Sequence, residues 1–324
     1  MRSVNDGSFH QSVLYQEIIL ALKPGSGKLF VDCTLGAGGH AWGILEASSP
    51  DGCLLGMDVD PQALDIAGKR LNAFGTRAII VQASYVTLSQ QLEKLDWRAV
   101  DGVLLDLGLS SMQLDTPQRG FSFQVDALLD MRFDPTNPVR AVDLVNALTE
   151  AELTDILLRY GEERSAHKIS KAIVRSRPLT TTRQLAEVVV KVVPNALSSS
   201  SRRASKRSRI HPATRTFQAL RIAVNHELEA LESILPQAVD ALVPGGRLAV
   251  ISFHSLEDRI VKQFFRRESK DCLCPPRQPI CTCGHKAILV EVNRRPIRPS
   301  PLELNQNPRA RSACLRVAEK VKSF

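Results

Sequence analysis

Short apolar runs alternate with helical patterns through the first 110 residues of this 324-residue chain, and this alternation constrains the fold most. The runs have the length and composition of buried strands, and they cover residues 28–33, 52–60, 77–83 and 100–108. The segments between them have the apolar spacing of helices, near 40–48, 61–73 and 86–95. Strands that alternate with helices build a parallel sheet with helices on its faces. We therefore expect an α/β, Rossmann-like, doubly wound sheet.

The pattern changes after the fourth strand. Residues 113–140 are rich in turn formers, and residues 141–236 have helical spacing almost throughout, without a strand candidate. Further candidates then follow: a strand at 245–253, a helix at 255–268, and strands at 286–293 and 312–321. We expect a sheet domain formed by 1–112 and 237–324, interrupted by a helical insertion at 113–236.

Positive charge is concentrated in a few segments. The chain has 42 Lys and Arg against 34 Asp and Glu, a net charge of +8. Five basic residues fall within eight positions of a serine-rich run: Arg202, Arg203, Lys206, Arg207 and Arg209. Such clusters suit a polyphosphate backbone. The alternative is a solvated basic loop without a partner.

No membrane or export segment is evident. No apolar run approaches the roughly 20 residues that span a bilayer, and the first 17 residues lack the apolar core of a signal peptide. A chain with 44% apolar and 23% charged residues has the composition of a globular protein. We expect a cytoplasmic protein without a membrane partner.

The stretch FVDCTLGAGGH at 30–40 runs from the first strand into a glycine-rich turn. Read as Gly36-x-Gly38-x-x-Ala41, the turn fits the dinucleotide fingerprint, and Asp58 follows about 20 residues later. A nicotinamide oxidoreductase is therefore one candidate. Asp32, at the end of the strand, opposes it because a carboxylate there repels a pyrophosphate.

The same carboxylate attracts a cation. S-adenosylmethionine carries an ammonium and a sulfonium group. One unit charge at about 4 Å is worth roughly 4 kcal/mol at an effective dielectric constant of about 20, before desolvation. The sign of the Asp32 charge therefore favours S-adenosylmethionine. Asp58 would accept hydrogen bonds from the ribose hydroxyls, since Asp60-Pro61 has the pattern of a helix cap; the alternative is that Asp58 itself caps that helix.

Long segments of the chain resemble one family. They include DCTLGAGGH, DGVLLDLGLSSMQLDTPQRGFSF, GEERSAHKI, HPATRTFQALRIAVNHELEALE, GGRLAVISFHSLEDRIVK and NPRARSACLR, in the family's order. The chain resembles the bacterial and organellar cytidine N4-methyltransferases of small-subunit ribosomal RNA (the RsmH/MraW type) over nearly its whole length. The resemblance implies a class I S-adenosylmethionine-dependent methyltransferase fold. It also implies methylation of one cytidine near the decoding site of the assembled small subunit.

The resemblance also implies a cofactor site. It places S-adenosylmethionine between the turn and the second strand, with an aromatic ring beside the adenine, and it assigns Gly38, Gly39, His40, Asp58, Tyr85, Asp106 and Gln113. Tyr85 stands where a phenylalanine also occurs, and stacking survives that change. For His40 the alternative is a helix-start residue with a local hydrogen bond.

Two residues are candidates for the reacting centre. Asp106 ends the fourth strand, at the edge where ligands of open α/β sheets gather. The N4 lone pair of cytosine is delocalised into the ring, so an acceptor for its N–H protons would restore nucleophilicity as the methyl group arrives. His254 follows the next strand, with Ser255, Glu257 and Asp258, and could take up the released proton. The alternative is that Ser255 caps a helix beginning at Leu256.

RNA contacts are expected from the insertion and the basic run, through Arg119, Arg209, His211 and Arg215. The alternative is that the helices form a packing module or a dimerisation module; in the second case the protein would be a homodimer. Phe121, Phe123 and Phe253 could stack on an extruded base, although core packing is the more common role of such residues.

Four of the seven cysteines form a C-x-C…C-x-C group, Cys272, Cys274, Cys281 and Cys283, with His285 close behind. Four thiolates so close together could bind a structural zinc ion, although the usual spacing is C-x2-C. Reduced free thiols are the alternative. An odd cysteine count without a secretory signal argues against a disulfide framework.

Three functions therefore compete. They are an RNA methyltransferase, a nicotinamide oxidoreductase, and a non-catalytic RNA-binding assembly factor on a methyltransferase scaffold. Asp32 opposes the oxidoreductase, and the intact set of Asp32, Gly38, Gly39 and Asp58 opposes the assembly factor.

Overall fold

A computed structural model describes residues 12–193, 211–276, 278 and 280–321. Within this part of the chain, seven strands form one sheet in the order β3-β2-β1-β4-β5-β7-β6. The strands are β1 (Leu29–Asp32), β2 (Cys53–Asp58), β3 (Ala78–Gln82), β4 (Val100–Asp106), β5 (Leu242–Ser252), β6 (Leu289–Glu291) and β7 (Cys314–Lys320). The predicted α/β fold is confirmed, and each predicted strand is present.

The sheet is mixed rather than wholly parallel. Strands β1 to β5 pair in parallel, whereas β7 pairs antiparallel with both β5 and β6. The parallel pairing expected for the alternating strands and helices of the first 110 residues is confirmed for β1 to β4, and β7 departs from it. An apolar run has the same composition in either direction, so the sequence pattern carries no information on the sense of this strand.

Helices cover both faces of the sheet. One face carries α1 (Tyr15–Leu22), α2 (Gly39–Ala47) and α3 (Pro61–Leu71), and the other carries α4 (Leu88–Lys94), α11 (Glu227–Ala241) and α12 (Ser255–Glu268). Side chains along a strand alternate between the two faces. In β4, Leu104 packs with the first group of helices, while Val103 and Leu105 pack with the second. Burial on both faces explains why these strands are almost continuously apolar.

The chain divides into two compact units, Met1–Gly108 with Leu228–Phe324, and Leu109–Glu227. The sequence-based boundaries at 113 and 236 differ because residues 228–241 belong to the sheet unit. Leu231, Ile234 and Leu235 of α11 pack in the same apolar cluster as the strands. Helical spacing alone does not tell which core a helix joins.

In its described part the second unit contains helices, an irregular stretch at 120–140 and an isolated bridge between Leu128 and Thr181, but no regular strand. Its helices are α5 (Ser111–Asp115), α6 (Ala141–Ala147), α7 (Glu150–Gly161), α8 (Ala166–Arg175), α9 (Thr182–Val192) and α10 (Thr214–Asn225). They enclose an apolar core of their own. The remaining helix, α13 (Pro301–Gln306), precedes β7. Among the described residues, no helix has the length and apolarity needed to cross a membrane.

Candidate functional site

Three carboxylates lie at one edge of the sheet because parallel strands end there together. Asp32 is the last residue of β1 and pairs with Gly56 of β2 and Leu104 of β4. Asp58 and Asp106, which end β2 and β4, each lie two residues beyond these partners. The structure therefore brings together three of the predicted site residues at the carboxyl edge, where α/β proteins bind ligands.

Asp32 is almost completely buried, with 1% of its surface exposed. Its Oδ1 accepts a hydrogen bond from the Thr34 amide at 3.1 Å. Burial raises the pKa of Asp32 to about 7; His40 opposes this shift, while Asp106 and Asp58 add to it. The free protein thus holds a carboxyl group that ionises near neutral pH and that a cationic ligand would convert fully to the carboxylate.

Thr34 was not predicted as a site residue. Its Oγ1 accepts the amide hydrogen of Asp106 at 2.6 Å, and its own amide binds Asp32. It therefore links the ends of β1 and β4 and fixes the positions of two candidate carboxylates. An Asp-x-Thr sequence at the end of a strand is typical of a turn in which the Asp side chain accepts the amide two residues later, and this pattern could have drawn attention to Thr34.

The glycine-rich turn packs directly against Asp58. Gly36 and Gly38 have φ values of 51° and 75°, which favour glycine over side-chain-bearing residues. The Gly36 amide donates to Asp58 Oδ2 at 2.8 Å, and the Asp60 amide donates to Oδ1 at 3.0 Å. Burial raises the pKa of the Asp58 carboxyl group. Each oxygen of Asp58 still has acceptor capacity for a further donor.

Asp60, not Asp58, caps the next helix. It is fully buried and accepts the Gln62 amide at 3.1 Å, with Pro61 at the first helical position of α3. The cap predicted at Asp60-Pro61 is confirmed, and the alternative cap at Asp58 is wrong. Asp58 is therefore not needed for helix capping.

His40 lies in the first turn of α2, buried at 4% exposure. Its Nε2 is 3.5 Å from Asp106 Oδ2, without hydrogen-bond alignment. Both ring nitrogens of His40, and Asp106 Oδ1, are buried and have no hydrogen-bond partner in the described protein. Buried polar atoms are nearly always paired, so three such atoms at one edge indicate a place for a polar ligand.

Two further cofactor candidates flank this edge. A Cβ at Gly39 would lie 2.0 Å from Ser12 Oγ, so a larger residue there would require the Ser12 side chain to move. Tyr85 begins a short 3₁₀ turn after β3 and is half-buried against the sheet core. Both belong to the sheet unit, as the resemblance requires.

Gln113 belongs to the second unit. Its Oε1 accepts the Ser110 amide at 3.1 Å and its own amide donates to Ser110 Oγ at 3.1 Å, which makes a capping box for α5. Its predicted contact with the cofactor stays a prediction.

Arg119 also lies in the second unit. Its Nη2 donates to the carbonyl oxygens of Arg132 and Phe133 at 2.9 and 3.0 Å, and its guanidinium lies over the Phe121 ring. These contacts place Arg119 in the local packing of the unit. A phosphate contact stays a prediction.

His211 lies just before α10 and Arg215 lies in its first turn, and both are exposed. The His211 ring stacks on Phe123 with centroids 4.5 Å apart, and Arg215 Nη1 donates to the Glu162 carbonyl at 3.1 Å. Phe123 is therefore engaged by a neighbouring ring rather than open for a base. Arg209 and the basic run before it lie outside the described residues.

His254 precedes α12 and caps it. Its Nδ1 accepts the Glu257 amide at 3.4 Å, and Glu257 Oε2 accepts the His254 amide at 3.2 Å. Its Nε2 lies 3.1 Å from Glu257 Oε1. The helix begins at Ser255, so the alternative that Ser255 caps a helix from Leu256 is wrong by one residue.

Asp258 is held by a neighbouring strand. Its carboxylate accepts hydrogen bonds from Arg316 Nε at 2.6 Å and Nη2 at 3.1 Å, and from Cys314 Sγ at 2.9 Å. These bonds lower its pKa against the effect of burial. Asp258 is therefore better suited to holding α12 against β7 than to taking up a proton.

Comparison with known proteins shows which family this chain resembles. The sequence profile of the MraW methylase family matches residues 7–321. A ribosomal RNA small subunit methyltransferase H from Syntrophotalea carbinolica is 51% identical over 315 residues, which cover 96% of this chain and 98% of that protein. A protein of the same name from Thermomicrobium roseum is 49% identical over 315 residues, covering 96% of this chain and 94% of that protein. The resemblance found in the sequence is confirmed, and the chain belongs to the MraW methylase family.

Proposed function

We propose that this protein uses S-adenosylmethionine to methylate the exocyclic N4 amine of one cytidine in small-subunit ribosomal RNA, near the decoding site. Membership of the MraW methylase family over residues 7–321 carries the proposal. Relatives that are 49–51% identical are named ribosomal RNA small subunit methyltransferase H. We further propose that the enzyme is cytoplasmic and acts on the RNA, free or within the assembled small subunit.

The residues at the sheet edge fit S-adenosylmethionine. Three buried polar atoms, the His40 ring nitrogens and Asp106 Oδ1, have no partner in the described protein and would gain one from a ligand. The turn after β1 has two glycines with positive φ, so its backbone can approach a ligand closely. Asp32 offers a buried carboxyl group, which a cation stabilises and a diphosphate does not.

The roles follow from the chemistry of each group. Asp32 would bind the ammonium group of the methyl donor, and Asp58 would accept the ribose hydroxyls. Gly38, Gly39 and His40 would line the amino-acid end, and Tyr85 would stack beside the adenine. Gln113 is proposed to contact the cofactor, as the family resemblance implies.

S-adenosylmethionine supplies a methyl group on a sulfonium, from which a neutral thioether departs as a good leaving group. The chain's own contribution is to align the cytosine amine and to bind its N–H protons. Asp106 Oδ1 is a buried acceptor without a partner, so it can take an N–H that turns out of the base plane. Such a bond strengthens as the amine becomes tetrahedral, which is the condition for catalysis.

The proton released from the methylated amine does not require a buried base, because the product ammonium is acidic. His254 is the candidate for accepting it. Its Nδ1, however, already accepts the Glu257 amide, so protonation there breaks the cap of α12. We therefore expect His254 to contribute mainly through the position of α12.

RNA binding is proposed for Arg119, Arg209, His211 and Arg215. His211, just before α10, and Arg215, in its first turn, are both exposed, so each has surface that a phosphate or a base could reach. The basic run that contains Arg209 adds positive charge directly before this turn in the sequence.

The proposal is tested by mass spectrometry of small-subunit RNA from cells that lack this protein. One cytidine near the decoding site should lose its N4 methyl group and regain it with the wild-type gene. Asp106→Asn should not restore the methyl group, whereas the exposed control Asp65→Asn should. An N4 methyl group that persists without the gene would contradict the proposed function.

A further inference from the structure

A compact group of cysteine thiols lies in the long connection between α12 and β6, outside the site described above. The Sγ atoms of Cys272, Cys274, Cys281 and Cys283 all lie within 4.8 Å of one another. Cys272, Cys281 and Cys283 are exposed and Cys274 is half-buried, so the group does not serve core packing. Cys33 and Cys314, by contrast, are buried in the usual way of packing cysteines.

The separations between the sulfur atoms match one tetrahedral metal ion. Zinc–thiolate bonds of about 2.3 Å place the sulfurs of a tetrahedron about 3.8 Å apart. The distances are 3.5 Å between Cys272 and Cys281, 3.6 Å between Cys281 and Cys283, and 3.8 Å between Cys272 and Cys283. These sulfurs are too far apart for disulfide bonds, which join sulfurs at about 2.05 Å.

Backbone amides point at the sulfurs in a reciprocal pattern. Leu273, between the first two cysteines, donates its amide to Cys283 Sγ at 3.3 Å. Thr282, between the last two, donates its amide to Cys274 Sγ at 3.4 Å. The Cys274 amide donates to Cys272 Sγ at 3.4 Å. Such bonds stabilise negative charge on sulfur, as the outer shell of a metal–thiolate centre does.

The residues after the last cysteine hold the loop to α12. Gly284 has a φ of 62°, a conformation that favours glycine. The His285 ring contacts the Arg267 carbonyl through Nε2 at 3.1 Å, so it is engaged away from the thiols. The Ile288 amide donates to the Glu268 carbonyl at 2.9 Å. A metal ion at this group would therefore be bound by the four cysteine sulfurs and not by His285.

We propose that Cys272, Cys274, Cys281 and Cys283 bind one zinc ion as thiolates. The donor set is soft and tetrahedral, which selects zinc among the abundant divalent ions that need no redox chemistry. The connection from 269 to 288 has mostly exposed residues and no regular helix or strand in its described part, so it lacks a core of its own. The metal fixes this connection, as structural zinc does in small domains.

The test is metal analysis of the full chain, purified under reducing conditions and given a limiting amount of zinc. We expect about one zinc per chain, held against a colorimetric chelator of moderate affinity. Cys272→Ser and Cys281→Ser should each lose most of the metal, while Cys53→Ser, a control outside the group, should keep it. Cobalt in place of zinc should give the intense visible bands of a tetrahedral tetrathiolate.

Several results would overturn the proposal. The proposal is wrong if the wild-type protein binds no zinc or if the bound metal is iron. It is also wrong if Cys272→Ser retains as much zinc as the wild type. Disulfide bonds between these cysteines, detected by intact mass in protein from cells with a reducing cytoplasm, would contradict it as well. If a serine variant fails to fold, the cobalt spectrum and zinc stoichiometry of the wild type still decide. Binding of S-adenosylhomocysteine is measured separately, so failure at one site is distinguished from failure at the other.

Discussion

Asp32 is a buried carboxyl group whose ionisation opposes folding in the absence of a ligand. Burial raises its pKa to about 7, whereas an unfolded Asp titrates near 3.8. Between these values the folded chain binds more protons at this position than the unfolded chain. The contribution of Asp32 to stability is therefore complete below about pH 4 and is lost as the pH rises through about 7.

Replacing this group should stabilise the ligand-free protein. We expect Asp32→Asn to raise Tm more at pH 8 than at pH 5, by about 2–4 °C for each kcal/mol gained. Scanning calorimetry of the ligand-free protein at both pH values measures this. An equal change in Tm at the two pH values would show that Asp32 does not ionise in a buried environment.

Asp58 has a local structural role as well as its proposed ligand role. Its carboxylate accepts the amides of Gly36 and Asp60, and an Asn side chain retains one oxygen for these bonds. We expect Asp58→Asn to weaken binding of S-adenosylhomocysteine by roughly 10–100-fold, because a charged acceptor of the ribose hydroxyls is lost. Titration calorimetry measures the affinity.

Asp65→Asn is the matched control for this experiment. Asp65 lies on α3, close to Asp58 in the sequence, and forms an exposed pair with Lys69. Its replacement should leave the affinity unchanged. If Asp58→Asn and Asp65→Asn bound equally well, the ribose would have to be held elsewhere.

The strand-end carboxylates could be predicted from the sequence, whereas their supports could not. Asp32, Asp58 and Asp106 each end an apolar run, and parallel strands bring such ends together. Thr34 was missed because its hydroxyl binds an amide 72 positions away, on β4. His254 and Ser255 are adjacent, and side-chain propensity alone placed the cap on the wrong one.

At the scale of elements, α12 connects the reacting edge to β7. His254 and Glu257 form the capping box at its start, and Asp258 binds Arg316 one residue later. The helix position therefore depends on polar contacts at its first turn. The apolar spacing of the sequence predicts the helix α12. It does not predict the contact between α12 and β7, because the pattern does not tell in which direction β7 runs.

Substitutions can separate the two roles considered for His254, which are capping of α12 and uptake of the released proton. Asn is a good cap, so His254→Asn should preserve stability, while His254→Ala should cost about 1 kcal/mol. Because we assign His254 mainly to positioning, His254→Asn should reduce kcat by less than about tenfold, without a new pH dependence. Thermal unfolding and single-turnover methylation across pH 6–9 measure both. A large loss of kcat in His254→Asn with unchanged stability would instead assign proton uptake to His254.

At the scale of the whole molecule, RNA affinity is expected to depend on the basic run of the second unit. Phosphate contacts release counterions, so log affinity falls as log salt rises. Each contact that is lost makes this negative slope shallower by about one. We expect Arg209→Gln to weaken binding of small-subunit RNA most at low salt, and to make the slope shallower by about one. Filter binding across a salt series provides the measurement.

Arg159→Gln is the control for charge alone. Arg159 is exposed on α7 and pairs with Asp155. Its replacement removes one positive charge from the same unit but should leave the slope unchanged. Equal slopes for Arg209→Gln and wild type would place the RNA contact elsewhere.

The sheet edge is proposed to receive a cationic methyl donor rather than a diphosphate, and titration calorimetry at pH 8 tests this most directly. Wild-type protein should bind S-adenosylhomocysteine, whose ammonium group remains, and should not bind NAD. Asp32→Asn should bind S-adenosylhomocysteine at least roughly tenfold more weakly, since the buried carboxylate is gone. Binding of NAD by the wild type, or unchanged affinity for S-adenosylhomocysteine in Asp32→Asn, would contradict the account.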